Sequence, residues 1–108
     1  ALSPAKQVFD IQKAELDLTR SREKITETKE KLAVAQRELK NLEILSQKGF
    51  IPGDELVRQQ ASVRDAQVTV REAEFDVRTK TIDLQRQILE AKRATEPQTK
   101  ILEAQTAL

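Results

Sequence analysis

The stretch Leu45-Ser46-Gln47-Lys48-Gly49-Phe50-Ile51-Pro52-Gly53-Asp54-Glu55-Leu56 decides the fold, because it holds three of the five glycines and prolines in the chain and lies between two long runs that have none in their interiors. Gly and Pro are the strongest interruptions of a helix. Lys48 suits the negative end of a preceding helix, Gly49 suits a left-handed residue just past that end, and Asp54 and Glu55 suit the positive end of a following helix. The stretch therefore reads as a tight reversal at 49–53. The other breakers, Pro4 and Pro97, lie near the chain ends. Ser3 before Pro4 reads as an N-cap with proline at the first helical position. These signals give helix 1 over 1–48, a tip at 49–53 and helix 2 over 54–95. Residues 96–108 continue helix 2 with a kink at Pro97, or else form a separate short helix that Pro97 begins.

Periodicity carries the same conclusion outward from the tip. Ile11, Leu18, Ile25, Leu32 and Leu39 stand seven apart, and Ala14, Ser21, Thr28, Ala35 and Leu42 follow each by three. On the other side run Leu56, Val63, Val70, Val77, Leu84 and Ala91, with Gln59, Ala66, Ala73, Lys80, Gln87 and Ala94 three later. Such a repeat keeps one stripe on a partner helix and implies a left-handed supercoil. The fold class expected is all-α, a long antiparallel two-helix coiled-coil hairpin. The large rows mirror about Ile51, which places Leu32 opposite Val70 and Ile25 opposite Val77. By the same rule Ile101 falls level with the chain start, and Leu108 finds no partner within the chain.

Composition narrows what such a hairpin does. The chain has 108 residues, 38% hydrophobic and 34% charged, and its aromatics are three phenylalanines, too few for a thick globular core. Cys and His are both absent, which removes disulfides, thiolate sites, the commonest metal ligand and the commonest general base. Lys and Arg number 19 against 18 Asp and Glu, interspersed, so no long-range field draws nucleic acid or anionic lipid. No apolar run approaches the roughly 20 residues that span a bilayer, and direct membrane insertion by this segment is not expected. Met is absent even at position 1, so the chain reads as a processed product or an excised piece, with any anchor or targeting signal elsewhere.

Carboxylates are abundant, but they alternate with bases at helical spacing, as in Glu27 with Lys31, Glu74 with Arg78 and Asp83 with Arg86. These are solvated faces. No acid/base pair, nucleophile set, phosphate loop or metal-ligand spacing stands out, so no enzyme, no metal and no cofactor are expected. Two features exceed a simple seam. Phe50 and Ile51 sit at the tip, either folded down as a cap on the core or projecting as an apolar knob. On helix 2, Ala61, Val68, Phe75, Ile82 and Leu89 form a further row seven apart, turned about 160° from the Val63/Val70/Val77 row at 100° per residue. Helix 1 has no comparable second row. A two-stranded hairpin leaves that row uncovered, so it is expected to contact another protomer or another region.

Around the tip, Leu45-x-x-x-Gly49-x-Ile51-Pro52-x-x-Glu55-Leu56, followed by Ala61, Val63 and Ala66, resembles the hairpin tip of the bacterial membrane fusion proteins, the HlyD-like periplasmic adaptors of efflux pumps and type I secretion systems. Their pattern is Leu-x-x-x-Gly-x-Ile-Ser-x-x-Glu-Leu/Tyr between two heptad helices. The resemblance implies a periplasmic or otherwise extracytoplasmic hairpin, inserted in a lipoyl-like domain and anchored to the inner membrane through other parts. It implies assembly as a homo-oligomer through the hairpin sides, bridging an inner-membrane transporter and an outer-membrane channel. Tip docking would fall on Leu45, Gly49, Phe50, Ile51 and Pro52, and protomer contact on Ala61, Val68, Phe75, Ile82 and Leu89. Leu45 matches the family's docking Leu, whereas Asn41 and Pro52 stand where those adaptors carry Arg and Ser. Pro52 also removes a hydroxyl N-cap and leaves Asp54 as its expected substitute. Two other readings compete: a coiled-coil segment of an unrelated scaffold, and a nucleic-acid-gripping helical arm. The second wants a basic tip, and residues 45–56 set Lys48 against Asp54 and Glu55.

Overall fold

In the computed structural model the described residues are 3–106, with the side chains of 95–101 set aside. They form two helices and no strand: α1, Pro4–Gln47, and α2, Gly53–Thr106. The fold is the helical hairpin that the heptad rows imply. Ser3 caps α1, its Oγ accepting the Lys6 amide at 3.2 Å while its carbonyl accepts that of Gln7. α1 ends one residue early, so Lys48 lies just past the last turn. At the other end, α2 begins at Gly53 and places Asp54 inside the first turn, so Asp54 is not the N-cap; its carboxylate lies 4.0 Å from Arg58 instead. α2 runs unbroken through Pro97, and the pairings expected for Ile101 and Leu108 lie outside the described side chains.

The chain divides into two compact units, Arg20–Val77 and Ala1–Thr19 with Arg78–Leu108. In the first, Ser21, Thr28, Val63, Val70 and Ala73 are buried, with Ile25, Leu32, Ala35, Leu39, Leu42, Leu56, Ala66 and Val77 half-buried. In the second, Ala14 and Leu18 are buried, with Ile11, Lys80, Leu84, Gln87 and Ala91 half-buried. These are the seam rows read from the sequence. Thr28 is only 2% exposed yet costs no unpaired hydroxyl, because its Oγ1 donates to the Lys24 and Ile25 carbonyls of its own helix.

The register differs from the mirror about Ile51. Ser21 Oγ donates to Asp76 Oδ2 at 2.6 Å, and Gln59 Nε2 donates to the Ala35 carbonyl at 3.0 Å and approaches Glu38 Oε2 at 3.4 Å. Ser and Asp are short side chains, so their bond brings those two backbone levels close and moves the mirror back to about residues 48–49. Ile25 is then level with Ala73, Leu32 with Ala66, Thr28 with Val70 and Ser21 with Val77. The expected partners Leu32/Val70 and Ile25/Val77 stand about one turn apart, roughly 6 Å along the axis at 1.5 Å per residue. Packing supplies the reason. Setting large row against large row would put small against small in alternate layers, giving bulges and voids, whereas large against small keeps each layer's volume nearly constant.

Candidate docking surfaces

The tip is built by a C-terminal cap on α1. The Phe50 amide donates to the Leu45 carbonyl at 2.9 Å and the Gly49 amide to the Ser46 carbonyl at 3.0 Å, the paired bonds of a Schellman motif. Gly49 carries the positive φ of 77° that this cap requires, and a side chain there would be strained whatever the space around it. The cap throws Phe50 outward, where it is 72% exposed, while Ile51 is half-buried. The two tip residues expected to act together therefore separate: Ile51 is partly covered, and Phe50 stands proud. Leu45 and Pro52 are exposed, as are the neighbouring Ile44 and Val57. Asn41 is exposed on the outside of α1.

Along α2 the further row divides between the two units. In Arg20–Val77, Phe75 is 68% exposed and Val68 is exposed, but Ala61 is half-buried. In the other unit Ile82 is 65% exposed and Leu89 is exposed. Arg64, Arg71, Arg78 and Lys92 flank this row on one side; Asp65 and Glu72 lie on the other. Sequence reasoning missed the outer side of α1. Phe9 and Leu16 are both more than three-fifths exposed and stand seven apart. The pattern was visible, but Glu23, Glu30 and Arg37 occupy the next repeats and hide it from a search for five apolar members.

Charged faces are tied locally. Lys31 donates to Glu27 at 3.2 Å and Lys24 lies 3.9 Å away; the Lys31 hydrogen bond, then the Lys24 charge, hold the Glu27 carboxyl below its ordinary value. Arg86 bonds Asp83 at 2.8 Å and Glu90 at 3.0 Å, which lowers the Asp83 pKa and raises that of Arg86. A shallow hollow of about 420 Å³ lies among Asp10, Lys13, Asp17, Asp83, Arg86 and Glu90, over the small residues Ala14 and Ala91. Its charges are of mixed sign and largely paired, so it offers no acid, base or nucleophile poised for a substrate. Among the described residues no group of three or more His, Cys, Asp or Glu is placed to hold a metal, and no helix is long and apolar enough to cross a membrane.

No protein family, no curated protein and no solved structure matches this chain.

Proposed function

We propose that this hairpin is the structural and docking element of a periplasmic adaptor, linking an inner-membrane transporter to an outer component in efflux or type I secretion and contributing no chemistry of its own. The observation that carries this reading is the tip: a Schellman cap closes α1 and leaves Phe50 at the end of the hairpin, inside the twelve residues that resemble the adaptor tip. An internal cap would be covered. An end that meets a partner is free to expose a large ring, since surface patches rimmed by polar groups mark interaction sites. Pro52 and Asn41 replace two polar contacts of the resembled family, so docking would rest on Leu45 and Phe50 more than on hydrogen bonds.

The test grafts residues 3–106 between the lipoyl-like halves of an efflux adaptor and measures export in cells that lack their own adaptor. Export that is restored by the graft and lost on Phe50→Ser supports the reading. A graft that is expressed and located normally, yet restores nothing with a cognate transporter and channel, overturns it.

A further inference from the structure

We draw no further inference here: the strongest candidate, the exposed apolar edges of the unit Ala1–Thr19 with Arg78–Leu108, made by Phe9 and Leu16 on α1 and by Ile82 and Leu89 on α2, carries nothing, because nothing in the structure shows what covers them.

Discussion

The Ser21 hydroxyl donates to Asp76 Oδ2 at 2.6 Å, and with the bond from Gln59 to the Ala35 carbonyl it marks the level of α1 against α2 within Arg20–Val77. Cysteines at Ile25 and Ala73 should therefore close an intramolecular disulfide under mild oxidation, whereas cysteines at Ile25 and Val77, about one turn out of level, should not. Non-reducing electrophoresis of the two double variants reads the difference. Equal or reversed efficiencies would restore the mirror about Ile51.

Removal of that bond should cost little more than an ordinary hydrogen bond. Ser21 is 7% exposed, and Ser21→Ala should lower stability by about 0.5–1.5 kcal/mol, a shift of several degrees in Tm. Asp76 is exposed and is rehydrated once its donor is gone. Thermal melts followed by circular dichroism check this, and a loss above about 3 kcal/mol would show that the bond supports more than register.

Much of this architecture was legible in the sequence and part was not, for physical reasons that differ by element. The left-handed turn at Gly49 was legible because it answers a backbone requirement that few other residues meet, whereas the helix ends around it, at Gln47 and Gly53, and the cap of α2 were not. The seam rows were legible because heptad spacing is a property of each helix alone. Register is a property of the pair, and the rows admit more than one mirror. What chooses among them is layer volume, together with the polar reach of Ser21 and Gln59, and neither is visible in spacing. Phe50 and Ile51 are adjacent and equally apolar, yet they part company because the cap geometry turns one outward.

The seam and the edge should respond differently to the same truncation. Leu18 is 5% exposed and Ile82 is 65% exposed, both in the unit Ala1–Thr19 with Arg78–Leu108. Leu18→Ala should cost about 2–3 kcal/mol, at the low end of core truncations because the seam is thin, and Ile82→Ala should stay within about 0.5 kcal/mol in the monomer. Denaturant titration at low protein concentration measures both. Similar losses at the two positions would place the α2 row inside the fold.

Acid should loosen the outer ion pairs in a defined direction. The Lys31 hydrogen bond and the Lys24 charge depress the folded pKa of Glu27, and the Arg86 hydrogen bond depresses that of Asp83. A depressed carboxyl stabilises the fold fully above its unfolded pKa, about 3.9–4.3, and that contribution fades as pH falls through the lower folded value. Glu27 is exposed and Asp83 half-buried beside a solvated Arg86, so the change is small, a Tm decrease of roughly 1–2 °C between pH 5 and pH 2.5. Lys31→Gln with Arg86→Gln should flatten that part of the pH profile, and an unchanged slope would show that these pairs carry none of it.

The two tip glycines should behave oppositely when each is replaced by alanine. Gly49 holds φ at 77°, a conformation in which a Cβ crowds the backbone, so Gly49→Ala should destabilise by about 1–2 kcal/mol even though no atom lies within 4 Å of the added methyl. Gly53 opens α2 with no left-handed requirement and equally open surroundings, so alanine there removes only unfolded-state freedom and should stabilise by about 0.4–1 kcal/mol. Because both substitutions leave Phe50 exposed, the comparison isolates backbone geometry from apolar burial. Chemical denaturation of the two single variants supplies the measurement. If Gly49→Ala proves neutral, the Schellman cap does not set the direction in which Phe50 projects, and the tip loses the rigidity on which the docking proposed for it depends.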